Sequence, residues 1–180
     1  MIEQMLAYNR EFVANKGYEA YTAPAHPQKK TAILTCMDTR LVELLLAALN
    51  IKNGDVVLIK SIGGMITGPF DSTVRSLLLA VVELGVEEIM VIGHTDCGLA
   101  RVDTAQVLHE LVERGASPDD LRMMRYCGLD PEQWLRGFTC LNASVAESVQ
   151  ILKTHPLMPK DVKIRGFVID THTGELTPQE

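Results

Sequence analysis

The feature that most constrains this chain is an alternation: short apolar runs at 31–36, 56–60, 88–93 and 162–170 are separated by stretches patterned as helices. Thr31-Ala-Ile-Leu-Thr-Cys36 is a short, continuously apolar run of the kind that forms a strand covered on two faces. Val56-Val-Leu-Ile-Lys60, after the turn at Asn53-Gly54-Asp55, reads as a second strand. A helix is expected from about Arg40 to Asn50. A second runs from an Asp71 N-cap to Glu83 and is closed by Gly85. Residues 101–153 read as mostly helical, with breaks near Gly115 to Pro118 and Gly128 to Pro131. Strands alternating with helices give an α/β fold, a mostly parallel central sheet flanked by helices. We expect strand order 2-1-3-4 with room for one extra edge strand. Ile2, Met5, Leu6, Phe12 and Val13 fall at helical spacing with nothing in their own stretch to cover them. The chain 1–180 therefore reads as one domain, with residues 1–25 as an N-terminal helical arm.

Composition narrows the function classes. With 180 residues, 47% of them apolar, the chain can bury about 70% of its unfolded surface, so it needs no disulfide or structural metal to fold. A net charge of −6 argues against nucleic acid and anionic lipid as partners. No apolar run approaches the roughly 20 residues of a membrane span. The start Met1-Ile2-Glu3-Gln4 has no basic region ahead of an apolar run, which leads us to expect a cytoplasmic protein. In that reducing setting Cys36, Cys97, Cys127 and Cys140 read as thiols or metal ligands.

The chemistry gathers at two strand ends, Cys36-Met-Asp38-Thr-Arg40 and His94-Thr-Asp96-Cys97-Gly98. Ligands in open parallel sheets bind outside the carboxyl ends of strands, at the point where crossovers diverge. If strand one lies between strands two and three, the two clusters face each other there. Cys36, His94 and Cys97 then offer two thiolates and an imidazole, a set suited to one zinc ion with a coordination position left open. His94-x-x-Cys97 alone would more often be a buried thiol and an uninvolved histidine. A third soft ligand at the neighbouring strand end changes that reading. Asp38 and Arg40 alternate with Cys36 along an extended exit from the strand and can meet on its side. An arginine beside Asp38 keeps the carboxylate ionised, an acceptor able to orient a zinc-bound water or hydroxide. Cys127 and Cys140 fall on predicted helices away from this crevice. Ile62, Met65 and Phe70 are candidates for an apolar lining, and Asp71 can both cap its helix and pair with Arg75.

Cys36-x-Asp38-x-Arg40 followed by His94-x-x-Cys97-Gly98 resembles the β-class carbonic anhydrase family, especially its small prokaryotic members. The likeness runs through the Ile62-Gly63-Gly64 loop and the Asp71-Ser-Thr-Val-Arg75 helix start, then resumes at His155-Pro-Leu-Met-Pro-Lys-Asp161. Residues 1–25 and 115–139 carry little of it. The resemblance implies that Cys36, His94 and Cys97 bind zinc, that Asp38 and Arg40 form a catalytic dyad, and that the Gly98 amide helps bind substrate. The implied reaction is hydration of carbon dioxide to bicarbonate and a proton, with no organic cofactor. It also implies closed forms in which Asp38 becomes a fourth zinc ligand, and a homodimer or higher multiple in which the N-terminal helix packs on a neighbouring subunit. Ile33 and Thr35 replace the Trp and Gly of members carrying a bicarbonate-inhibited switch, so that regulation is expected to be absent. Ser61-Ile62-Gly63 stands where the family often has Asn-Ala-Gly.

Two thiolates cancel the charge of zinc, so activity is expected to rise with pH above neutrality. The rival readings are a hydrolase of carbon disulfide or carbonyl sulfide on the same site, and a non-catalytic zinc-binding regulatory protein. Asp38 and Arg40 speak against the second, since a binder needs no dyad.

Overall fold

The structure, a computed structural model, describes residues 1–179. Its elements in chain order are α1 (Ile2–Ala14), β1 (Thr31–Cys36), α2 (Leu44–Ala48), β2 (Val56–Ser61), α3 (Ser72–Leu84) and β3 (Glu88–His94), followed by α4 (Thr104–Glu113), α5 (Pro118–Tyr126), α6 (Pro131–Trp134), α7 (Leu141–Thr154), β4 (Lys163–Ile169) and β5 (Leu176–Gln179). The sheet order is β2-β1-β3-β4-β5. β2, β1, β3 and β4 run parallel, and β5 adds antiparallel to β4 as the extra edge strand.

Period-two alternation in β1 divides the core. Ala32 and Leu34 face one layer with Val74 and Leu77 of α3 and Val145 and Leu152 of α7. Ile33 faces the other with Leu41, Leu45 of α2, Ile92 and Phe167. Ile33 and Leu34 are fully buried, each contributing about 1.5–3 kcal/mol of apolar transfer energy. Because β1 is central, with β2 on one side and β3 on the other, its carboxyl end lies where the crossovers diverge.

α3 begins and ends as its sequence signals require. Asp71 accepts from the N–H groups of Thr73 and Val74, and Gly85 closes the helix in the left-handed region at φ 68°. The expected Asp71–Arg75 pair is not formed. The second carboxylate oxygen instead accepts from the Thr67 backbone N–H and hydroxyl, tying down the loop before the helix.

The helix expected over 40–50 is divided into a 3-10 turn at Thr39–Leu41 and the short α2. Asp38 is extended, at ψ 132°, and its carboxylate takes the Arg40 N–H, which tightens the chain into that turn. Residues 104–154 form four helices, with an additional break at 135–140. Cys127 and Cys140 sit at the C-cap of α5 and the N-cap of α7, both exposed, rather than within helices. In α1 no residue is buried, and Ile2, Met5 and Tyr8 are exposed; Phe12 packs back on the turn that follows, against Gly17 and against Tyr21 at a ring-centroid distance of 6.1 Å. No helix of the described residues is long and apolar enough to cross a membrane.

Candidate metal centre at the strand ends

β1 delivers Cys36 as its last residue, and the parallel neighbour β3 delivers His94 as its last. Cys97 follows one turn later at the N-cap of the 3-10 turn Gly98–Arg101. One ligand atom from each of these three residues lies within 4.8 Å of the others, and all three side chains are buried. The structure thus brings together the residues that strand-end reasoning paired.

His94 settles what this cluster can hold. Its Nδ1 donates to the Thr95 carbonyl at 2.8 Å, so Nε2 carries the free lone pair. That Nε2 is buried and has no hydrogen-bond partner. An orphaned imidazole nitrogen among two thiols is costly as it stands and is satisfied by a cation. Burial pushes the Cys36 thiol up, but the adjacent His94 imidazole and nearby N–H groups, including that of Gly63, bring it below its ordinary value. Burial and the charge of Cys36 both push Cys97 up. The donor set, two thiols and an imidazole, fits zinc.

Gly64 explains the glycine pair that precedes α3. Its φ is 62°, and a Cβ there would stand 2.7 Å from the Cys36 backbone N and 2.8 Å from the Thr35 carbonyl carbon. The loop therefore lies directly on the end of β1, where no side chain fits.

Beside the cluster, Arg40 grips Asp38 through two parallel bonds, Nη2 to Oδ2 at 2.8 Å and Nε to Oδ1 at 3.0 Å, and the Arg40 backbone N–H adds a third at 2.9 Å. Chiefly through these guanidinium bonds, the Asp38 carboxyl is held well below the usual carboxylate range. Its Oδ2 lies 3.9 Å from His94 Nε2. The carboxylate is thus turned toward the guanidinium, next to the cluster but outside it. Gly98 is exposed at the start of its turn, immediately after Cys97.

Three contacts around the pair were not legible in the sequence. Arg40 Nη2 also donates to the Asp96 carbonyl at 3.1 Å, and Asp96 is a non-glycine residue at φ 54°. Arg40 Nη1 donates to Thr171 Oγ1 at 3.4 Å, and Lys60 Nζ donates to the Asp38 carbonyl at 3.3 Å. These partners come from β2, from the turn after β3 and from the turn after β4, and no local motif announces them.

A cavity of about 490 Å³ opens at the carboxyl end of β2, lined in part by Ser61, Ile62, Met65, Thr67, Leu99 and Trp134. Ser61 is the register partner of Cys36. Of the expected lining residues, Ile62 and Met65 are placed there. Phe70 is not: it is 92% exposed, beside a separate apolar groove with Leu79 and Leu157, because the Asp71 cap turns it outward just before α3.

Known proteins point the same way. The profile of the carbonic anhydrase family matches residues 31–176, from the first residue of β1 to the first of β5. This chain belongs to the β-carbonic anhydrase family. It is 44% identical to a Bacillus subtilis protein provisionally named the carbonic anhydrase YtiB, over 176 residues covering 98% of this chain and 94% of that one. The crystal structure of a β-carbonic anhydrase from Trichomonas vaginalis superposes with a TM-score of 0.89 at 31% identity, covering 99% of this carbonic anhydrase and 96% of the other. A carbon disulfide hydrolase of Acidithiobacillus thiooxidans is 30% identical over 158 residues, covering 81% of this chain and 75% of its own.

Proposed function

We propose that this carbonic anhydrase catalyses the reversible hydration of carbon dioxide to bicarbonate and a proton, with Cys36, His94 and Cys97 holding one zinc ion. The observation that carries the reading is the unpartnered Nε2 of His94, buried in a Cys-His-Cys cluster beside a carboxylate already claimed by an arginine. When bound there, zinc would supply the Lewis acidity that helps a water ionise, less strongly than under three neutral imidazoles because two thiolates offset its charge.

The chain's own groups do the rest. The Nδ1–H bond to Thr95 fixes the His94 ring and its tautomer. Arg40 keeps Asp38 ionised, so the carboxylate can only accept a hydrogen bond. It would therefore hold and orient a protonated oxygen placed beside it by accepting that oxygen's hydrogen bond. Gly98, exposed beside Cys97, offers its amide N–H to a substrate oxygen. Ile62, Met65 and Leu99 give the cavity at the end of β2 apolar walls suited to a small uncharged molecule. The proton released in each turnover passes to buffer.

The chain is read as one domain with an arm at residues 1–25, acting as a homodimer or higher multiple. The bare apolar side of α1 and the groove at Phe70, Leu79 and Leu157 are surfaces that a second copy would cover. Free thiols at Cys36, Cys97, Cys127 and Cys140 suit a cytoplasmic setting. A monomer by light scattering at micromolar concentration would refute the assembly.

Likeness to carbon disulfide hydrolases supports a second substrate reading on the same centre. Stopped-flow assays at about pH 8.5 on protein of known zinc content decide between the two. Rapid carbon dioxide hydration with negligible sulfide release from carbon disulfide is the expected result. The reverse pattern would assign the second substrate, and neither activity with one zinc per chain would leave a binding role.

A further inference from the structure

Arg40 has more anchors than an ion pair with Asp38 requires. Its Nε and Nη2 face the carboxylate, and Nη2 also reaches the Asp96 carbonyl. Among the described residues, the protein acceptor for Nη1 is Thr171 Oγ1. Thr171 is 8% exposed and lies two residues beyond the end of β4. It is itself fixed. Its hydroxyl shares a 3.2 Å hydrogen bond with that of Thr95, and its backbone N–H donates to Thr95 Oγ1 at 3.0 Å. The parallel ladder continues through Thr95 N–H to the Ile169 carbonyl at 3.1 Å. The turn beyond is held by the Asp170 carboxylate, which accepts from the N–H groups of His172 and Thr173. The far side of the guanidinium therefore rests on a pair of hydroxyls built onto the ends of β3 and β4.

That support has a specific consequence for Asp38. Its Oδ2 is 3.9 Å from the orphaned His94 Nε2, and carboxylates are good zinc ligands. A small rotation of the side chain would carry Oδ2 into the ligand set. What opposes it is the grip of Arg40, and Arg40 can keep that grip only while its own position is fixed. We propose that Thr171, braced by Thr95, is a positioning residue that holds Arg40, and through it Asp38, in the paired arrangement and away from the metal. The inference rests on the proposed dyad, and it adds a residue from the carboxyl end of β4 that touches neither metal nor substrate.

The test compares Thr171→Val, which keeps the side-chain shape and removes the hydroxyl, with Thr171→Ser, which keeps the hydroxyl. Loss of the Thr171 hydroxyl, with its long 3.4 Å bond from the guanidinium and its bond to Thr95, should lower kcat about three- to tenfold in the valine variant at unchanged zinc content, with a smaller change in KM. The visible spectrum of the cobalt-substituted protein at neutral pH gives a second readout. It should change in Thr171→Val, return to the wild-type form in Thr171→Ser, and show no such change when Thr171→Val is combined with Asp38→Ala. Wild-type kcat and spectrum in Thr171→Val would overturn the proposal. If that variant is recovered unfolded by circular dichroism, Thr171→Ala is judged by the same criteria. Asp38→Ala alone separates the two levels of inference: retained turnover there would sink the dyad itself, whereas lost turnover beside an unaffected Thr171→Val would sink only the positioning role.

Discussion

Replacing Gly64 with Ala isolates the contact that seats the glycine loop on the metal-bearing strand. Two penalties add at this position. An L-residue held at φ 62° pays about 1–2 kcal/mol for the left-handed conformation. The new Cβ, 2.7 Å from the Cys36 nitrogen and 2.8 Å from the Thr35 carbonyl carbon, meets rigid backbone rather than a side chain that can swing away. Relief requires the loop to lift off β1, an overpacking cost of about 1–3 kcal/mol. Gly85→Ala is the internal control. Gly85 has the same sign of φ, 68°, but nothing lies within 4 Å of its added Cβ, so it pays the conformational penalty alone. The two variants should therefore differ by about 1–3 kcal/mol, roughly 2–12 °C in Tm for a chain of this size. Urea unfolding of the zinc-free proteins reads the difference without help from the metal. Gly64→Ala should also weaken zinc binding, because the displaced loop withdraws the Gly63 N–H from Cys36. Equal stability of the two variants, with zinc affinity unchanged in Gly64→Ala, would refute the argument that this loop is fixed by contact with β1.

Asp38→Ala should cut carbon dioxide hydration about a hundredfold or more while one zinc per chain is retained, checked by stopped flow and metal analysis. Removing zinc with a chelator should abolish activity and lower Tm but leave the far-UV circular dichroism intact, since the core on the α3 and α7 side of the sheet involves none of the three ligands. The folded-state proton affinity of Asp38 lies below that of the unfolded chain. Its pairing with Arg40 therefore stabilises the fold above about pH 4, and that contribution is lost as pH falls toward the folded value. Arg40→Met should accordingly lose stability less steeply than wild type below about pH 4 in urea titrations, and parallel acid limbs would contradict this. Hydration should accelerate from about pH 7 to about pH 9, and a rate already flat below neutrality would count against a centre with two thiolate ligands.

Much of the site was legible because it lies near the ends of two elements that the sequence marks plainly. Thr31–Cys36 and Glu88–His94 are unbroken apolar runs ending in polar clusters, and their parallel pairing makes those ends neighbours. Asp38 and Arg40 were readable for the same local reason, their spacing from Cys36. Where expectation and structure part, the cause is a local side-chain bond that helical periodicity does not announce. A turn tied by the Asp38 carboxylate to the Arg40 N–H divides the helix expected over 40–50. Asp71 gives its second oxygen to Thr67 rather than to Arg75. Phe70 is turned outward by the cap that follows it.

The sequence by itself determined the layered α/β architecture and the soft donor set of Cys36, His94 and Cys97, because each depends on residue type and short-range periodicity. Only the tertiary structure decided how the dyad is held. Thr171 lies 131 residues from Arg40, Lys60 lies 22 from Asp38, and Asp96 contributes a carbonyl that every residue possesses. Such contacts are set by the register in which strands pair and by the turns that leave them. They become visible once β2, β1, β3 and β4 are aligned and their carboxyl ends converge on the same guanidinium and carboxylate.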